Sequence, residues 1–246
     1  MSKDDEFDEL RNSVPMQTFW PSETSYTYLE KDVAEGIKAL AEDIAEGVKN
    51  PQDNPLLRLF EKYELSDSSF TIENITRHVR CVDIRPKLIT NFALAVPDER
   101  AISLIADMRK PIIEIGAGTG YWAYLLSQSG VDIVAYDKVP TATGLNPFFK
   151  SKNQFCDVFR GGVEDIQFHP GRVLFLCWPV YDNPMAVDAL NAYKGDTLIY
   201  VGEGPYGCTA SAAFWDALDA GWSQNTRWSI PNFIGIHDTL SFYSRK

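Results

Sequence analysis

The stretch that most constrains this chain runs from Ile112 to Trp122, Ile-Ile-Glu-Ile-Gly-Ala-Gly-Thr-Gly-Tyr-Trp. Apolar residues around one carboxylate make a short run suited to a buried strand. Gly116, Gly118 and Gly120 follow at alternate positions. Beyond them the pattern predicts a helix from Trp122 to Ser129, closed by Gly130. Val131 to Tyr136 then predicts a second strand, ending on Asp137. Strand, glycine turn, helix, strand and acid are the first half of a nucleotide-binding α/β unit.

The flanking sequence reads as support for that unit. Residues 1–25 carry acids and then Pro15, Phe19, Trp20 and Pro21, an irregular tail whose aromatic pair is free to dock. From Leu29, apolar residues recur at three- and four-residue steps through Val48, which predicts an amphipathic helix ending near Asn50 and Pro51. Further helices are expected over Leu56–Tyr63, from Ser68 or Ser69 to Arg80, over Lys87–Ala95 beyond a break at Arg85 and Pro86, and from Pro97 and Asp98 to Met108. This first third reads as helical, packed on the carboxyl edge of a sheet.

After the second strand, Lys138 to Phe149 is irregular. A weak third strand falls within Gln154–Phe159. Val173 to Cys177 is a continuous apolar run, the mark of a strand covered on both faces. Asn183 and Pro184 suit the start of a helix to Tyr193. Thr197–Val201 is a fifth strand, and Thr209 is expected to cap a helix ending at Gly221. Trp222–Ile230 and Ile236–Tyr243 read as a closing strand pair. Alternating strands and helices predict a doubly wound α/β sheet. Ligands of such sheets lie beyond the carboxyl ends of the strands. The residues to inspect are therefore Glu114–Gly120, Asp137, Gly161–Glu164, Trp178–Asp182 and Gly202–Tyr206.

Composition narrows the function classes. The 246 residues carry a formal net charge of -11, and no cluster of lysine and arginine is visible. Nucleic-acid binding rests on such clusters, so no nucleic-acid partner is expected. No run approaches the length of a membrane span, and the acidic start is unlike a secretory signal, so the expectation is no membrane partner and a cytoplasmic location. Cys81, Cys156, Cys177 and Cys208 lack short metal-ligand spacing, and three of them sit in apolar or Gly-rich surroundings and read as reduced and mostly buried; no metal site is expected.

The glycine spacing discriminates among cofactors. A nicotinamide dinucleotide fingerprint needs G-x-G-x-x-G, and this turn is G-x-G-x-G with an acid two residues ahead. Glu114 disfavours a pyrophosphate and suits a ligand bearing positive charge. At this point Glu114, Gly116, Gly118 and Gly120 resemble the first motif of the class I S-adenosylmethionine-dependent methyltransferases. Asp137 matches that superfamily's ribose-holding acid. The run EIGAGTGYWAYLL, with LCWPVYDNPMA and YVGEGPYGCTA, is similar to a group of such proteins with a GAGTGYWA first motif. The resemblance covers residues 98 to 246.

The resemblance implies a Rossmann-like methyltransferase fold, a mostly parallel seven-stranded doubly wound sheet with a reversed seventh strand. It implies an S-adenosyl-L-methionine-binding domain over 98–246, with residues 1–97 as an N-terminal tail and helical lid. It places Gly162, Val163 and Glu164 beside adenine, Trp122 beside the methionine tail and Trp178 beside the transferred methyl. Members that methylate nucleobase amines carry a polar residue at the position of Cys177, so Cys177-Trp178-Pro179-Val180-Tyr181 argues against that substrate.

In-line methyl transfer needs chiefly proximity and orientation, with a general base only for a protonated nucleophile. Tyr181, Asp182 and Glu203 are the expected catalytic residues; Tyr206 and His237 share their neighbourhood. His78 and His169 have no acidic or cysteine partner nearby in sequence. Tyr26 and Tyr28 can line a substrate chamber or pack on the surface. The leading function is methylation of a small molecule. Alternatives are methylation of a protein or peptide side chain, a non-methyl transfer or cyclisation using the same cofactor, a non-catalytic cofactor-binding scaffold, and, against the glycine spacing, a nicotinamide oxidoreductase. Oligomeric state is open.

Overall fold

The structure, a computed structural model, describes residues 23–66 and 75–246, and the side chains of 35–66 and 83–246. The tail to residue 22, the side chains of Tyr26, Tyr28, His78 and Cys81, and the expected helix start at Ser68 or Ser69 lie outside the described residues. The chain divides into two compact units, residues 1–42 and 43–246. In the first, the described part is the leading portion of helix α1 (Glu23–Lys49), which carries an exposed Lys38–Glu42 ion pair.

In the second unit, helix α2 (Pro55–Lys62) starts at Asn54, a residue in left-handed conformation whose side-chain oxygen accepts the Leu57 N–H. The same Asn54 oxygen accepts the Tyr121 hydroxyl at 2.8 Å, and its amide donates to the Pro97 carbonyl at 2.7 Å. One short side chain therefore caps a helix and ties it to two distant segments. Helix α3 (Ile75–Asn91) runs through Pro86, where a break between two helices was expected. Proline removes one ladder hydrogen bond. Buried Ile84 and Leu88 on either side hold the helix by packing, which outweighs local propensity. Helix α4 (Glu99–Ala106) begins one residue later than expected, because Asp98 is its cap and accepts the Ala101 N–H at 2.7 Å.

The sheet follows: β1 (Ile112–Ile115), β2 (Ile133–Asp137), β3 (Val158–Arg160), β4 (Val173–Cys177), β5 (Thr197–Gly202), β6 (Trp222–Ser229) and β7 (Thr239–Arg245). Helix α5 (Tyr121–Gln128) joins β1 to β2, α6 (Met185–Ala192) joins β4 to β5, and α7 (Ala212–Gly221) joins β5 to β6. The spatial order is β3-β2-β1-β4-β5-β7-β6. The first five strands pair in parallel, and β7 runs antiparallel between β5 and β6.

Both faces are covered, as a doubly wound sheet requires. Ile113, Ile115, Leu174, Leu176, Leu198 and Tyr200 share one cluster with α6 and α7 through Ala189, Leu190, Phe214 and Leu218. Phe175, with the opposite parity, meets Trp122 of α5 edge-on. The cap of α7 is Ser211, which accepts the Phe214 N–H, in place of the expected Thr209. The Thr209 hydroxyl is instead buried against Tyr200 and the Glu203 carbonyl, bonds that a loop residue ahead of the helix can reach and a cap cannot.

Candidate functional site

The order 3-2-1-4-5 reverses direction between β1 and β4, and the chain enters at that point through the glycine turn. Gly116, Gly118 and Gly120 have φ of +80°, +56° and +71°, a region that side chains with a Cβ rarely adopt. Space is short as well. A Cβ on Gly118 would overlap the ring of Phe149, and one on Gly120 would come within 2.7 Å of Cys156 Sγ and 2.8 Å of Val158.

Asp137 at the tip of β2 braces this turn. Its Oδ2 accepts the Gly118 N–H at 2.9 Å and its Oδ1 accepts the Val139 N–H at 2.8 Å. Burial raises the Asp137 pKa, and these two backbone bonds pull against that rise. The Asn146 amide also reaches Oδ1, at 3.5 Å; an ionised carboxylate offers about four lone-pair sites, so the capacity for a further donor is on Oδ2.

Glu114, the third residue of β1, borders the same space. It is 2% exposed, and its Oε2 is buried without a hydrogen-bond partner. Desolvation, with a smaller contribution from the Asp137 charge, pushes its pKa up to about 8. A buried polar atom left unpaired is costly. The residue also lines a cavity, so its carboxyl group stands at the edge of that space.

That cavity has a volume of about 540 Å³, within the range of small-molecule sites. It brings together Glu114, Gly116, Trp122, Asp137, Gly162, Val163, Glu164 and Trp178 of the expected cofactor set. Gly118 and Gly120 are not in the lining; they lie against Phe149 and Cys156. Trp122 is 2% exposed and donates its indole N–H to the Ala95 carbonyl at 3.2 Å, so it both packs and lines the cavity.

The expected catalytic residues lie elsewhere. Tyr181, Asp182 and Glu203 are not part of the cavity lining, although their neighbours Val180 and Asn183 are. Tyr181 is 65% exposed. Asp182 has φ +50° and donates its backbone N–H to the Ala210 carbonyl. Glu203 is buried as a loop anchor, accepting the backbone N–H groups of Cys208 and His237 at 2.7 and 2.9 Å. Those bonds hold its carboxyl below the usual range, against desolvation. Tyr206 is fully exposed, His237 lies beside Glu203 on the surface, and His169 is bonded to the Tyr136 hydroxyl.

Sequence reasoning passed over two parts of the wall. Phe92, Ala93 and Leu94 follow α3, and Asn146 to Phe149 come from the irregular segment after β2. Asn146 organises that segment, donating to the Val139 carbonyl and accepting from the Phe148 and Phe149 N–H groups. The Asn-Pro-Phe-Phe run was the available signal, since aromatic residues in a loop need something to cover. Of the cysteines expected to be mostly buried, Cys156 and Cys177 are partly buried and Cys208 is exposed. Among the described residues no cluster of His, Cys, Asp and Glu could hold a metal, and no helix is long and apolar enough to cross a membrane.

No family model matches the chain, and no curated protein matches it. Solved structures do align with it. The N-methyltransferase NodS from Bradyrhizobium japonicum is 12% identical over 60% of this chain and 94% of its own, with a TM-score of 0.41. The 1,6-didemethyltoxoflavin-N1-methyltransferase from Burkholderia thailandensis, with bound 1,6-didemethyltoxoflavin and S-adenosylhomocysteine, is 12% identical over 73% and 93%, with a TM-score of 0.42. The magnesium protoporphyrin IX methyltransferase from Synechocystis, with bound S-adenosylmethionine, is 12% identical over 83% and 97%, with a TM-score of 0.42. At these values the fold assignment rests on this chain's own topology. Five parallel strands with a reversed seventh between the fifth and sixth, wrapped by helices on both faces, make this an α/β Rossmann-like fold of the class I methyltransferase type.

Proposed function

We propose that this protein binds S-adenosyl-L-methionine in the cavity over the glycine turn and transfers its methyl group to a small molecule. One observation carries the reading: two carboxylates flank one cavity, and the buried Oε2 of Glu114 has no partner. The Asp137 carboxylate disfavours a pyrophosphate there. A ligand with an ammonium group at one end and ribose hydroxyls at the other suits acidic groups at two points of the lining.

The chain's residues fit that group. Asp137 would accept a ribose hydroxyl on Oδ2. Gly162, Val163 and Glu164 would border the base, and Glu114 would face the cationic amino-acid end. Trp122 and Trp178 would wall the space nearer the reacting centre. When bound, the sulfonium supplies an electrophilic methyl carbon and a neutral thioether leaving group. The protein's part is to orient an acceptor in line with that bond and to exclude water. Phe92, Leu94, Trp178 and Val180 form a largely apolar wall suited to this.

A small acceptor is favoured by the cavity volume of about 540 Å³ and by the acidic composition. Tyr181, Asp182 and Glu203 stay as proposed sources of a base for an acceptor that reaches the rim. The test is calorimetric titration with S-adenosylhomocysteine and, in parallel, with NAD. Binding of the first alone is expected; binding of NAD alone overturns the reading. Release of methylthioadenosine from S-adenosylmethionine, without S-adenosylhomocysteine, would replace methyl transfer by another use of the cofactor.

A further inference from the structure

Asp238, immediately ahead of β7, is 1% exposed. Burying a carboxylate is costly, and such a group persists where it has a task. Its Oδ1 accepts the Trp178 indole N–H at 2.7 Å. Its own backbone is clamped by one side chain. The Asp238 N–H donates to Asn232 Oδ1 at 2.6 Å, and the Asp238 carbonyl accepts from Asn232 Nδ2 at 3.1 Å.

Trp178 is an unusual residue to hold so firmly. It follows β4 with φ +52°, which a bulky side chain rarely adopts. Its backbone N–H donates to the Val201 carbonyl, and the Arg85 guanidinium lies 5.9 Å from its ring. Strain is concentrated around it. Four of the seven non-glycine residues with positive φ among those described, Trp178, Asp182, Tyr206 and Ala210, lie in the loops after β4 and β5. Those loops are laced by Asp182 N–H to Ala210 carbonyl, Ala210 N–H to Pro179 carbonyl and a Val180–Thr209 bridge. Such strain persists only when the surroundings over-determine it, and it gathers at functional sites.

We propose that Asp238 is a positioning residue: through the indole N–H it fixes Trp178 as one rigid wall of the cavity, so that ligand affinity depends on a carboxylate that itself lies outside the lining. A ring free to turn about its side-chain torsions would vary the cavity's shape and lose affinity to ordering cost. The inference rests on the proposed cofactor reading for its ligand, and its test separates the two.

Four proteins are compared with the wild type: Asp238→Ala, Asp238→Asn, Trp178→Phe and the double variant Asp238→Ala/Trp178→Phe. Should Asp238→Ala not fold, Asp238→Ser takes its place. S-adenosylhomocysteine affinity is read by calorimetry, and the Trp178 band by near-ultraviolet circular dichroism as wild type minus Trp178→Phe. About a tenfold loss is expected for Asp238→Ala and for Trp178→Phe. The double variant should be within twofold of the weaker single one, since both changes cut the same link. Asp238→Asn, which keeps an acceptor oxygen, should bind within threefold of wild type and keep the band that Asp238→Ala loses. Folded Asp238→Ala with wild-type affinity and an intact band overturns the proposal, as do multiplying losses in the double variant. If the wild type ignores S-adenosylhomocysteine, the cofactor reading falls, and the dichroism band alone decides whether Asp238 fixes Trp178.

Discussion

The Asp137 carboxylate accepts the Gly118 N–H at 2.9 Å, so the acid at the tip of β2 fastens the turn that follows β1. The bond joins two neighbouring parallel strands at their carboxyl ends. On the proposed reading, ligand contact and turn geometry depend on the same side chain. Loss of the acid acts on both.

Asp137→Ala should therefore weaken S-adenosylhomocysteine binding by roughly 1.5–3 kcal/mol, the scale of hydrogen bonds to charged groups. It should also lower the melting temperature, because the Gly118 and Val139 N–H groups lose their acceptor. Asp137→Asn keeps one oxygen and should keep more stability than affinity. Calorimetry and thermal unfolding on the same samples read the two effects; unchanged affinity in Asp137→Ala would remove the ribose assignment.

Gly118→Val combines a strained φ with overlap on the Phe149 ring. Binding should fall below detection. Phe149→Ala opens the space but leaves the backbone penalty, so Gly118→Val/Phe149→Ala should recover binding only in part. Full recovery would show that the ring alone, and not the left-handed turn, demands glycine.

Glu114 gives a pH dependence with a definite sign. Burial raises its pKa to about 8, from the 4.5 of a solvated glutamate. Between those values the unfolded chain is ionised while the folded one holds a proton, so the folded state binds more protons and stability falls as pH rises. Below the lower value the group is neutral in both states and contributes no penalty. Glu114→Gln should flatten this part of the stability profile between about pH 5 and 8. Asp238, raised to about 7 by burial, titrates in an overlapping window and is common to both proteins. In the same window, binding of a cationic ligand beside Glu114 should release a proton, visible as a buffer-dependent calorimetric enthalpy. Identical pH profiles for wild type and Glu114→Gln would contradict the assignment.

Tyr121 lines the cavity, but its hydroxyl is bonded to the start of α2 and offers a test of packing apart from ligand contact. Its hydroxyl donates to Asn54 and accepts the Leu56 N–H at 3.2 Å. Tyr121→Phe should cost about 1–3 kcal/mol in stability, since the buried Leu56 N–H is left unpaired. Affinity for S-adenosylhomocysteine should change less than twofold. Denaturant unfolding and calorimetry check the pair of outcomes.

The legible parts were those written in local pattern. The run Ile112–Asp137 predicted strand, turn, helix and strand because glycine spacing and apolar periodicity are properties of neighbours in sequence. The apolar run Val173–Cys177 likewise predicted a strand buried on both faces. Pro86 misled, because a residue's local cost says nothing about the packing of Ile84 and Leu88 that overrides it. Thr209 and Ser211 are both plausible caps in sequence, and only the buried partners Tyr200 and Glu203 decide between them.

The sequence by itself determined the alternation of strands and helices and most of one rim of the cavity, because these follow from short-range periodicity and from where glycines and acids stand at strand ends. Tertiary structure alone decided that Glu114 lacks a partner, that Glu203 anchors a loop outside the cavity lining, and that Asp238 holds Trp178 from 60 residues away. Burial and pairing across such separations are set by the packing of whole elements. No window of neighbouring residues encodes them.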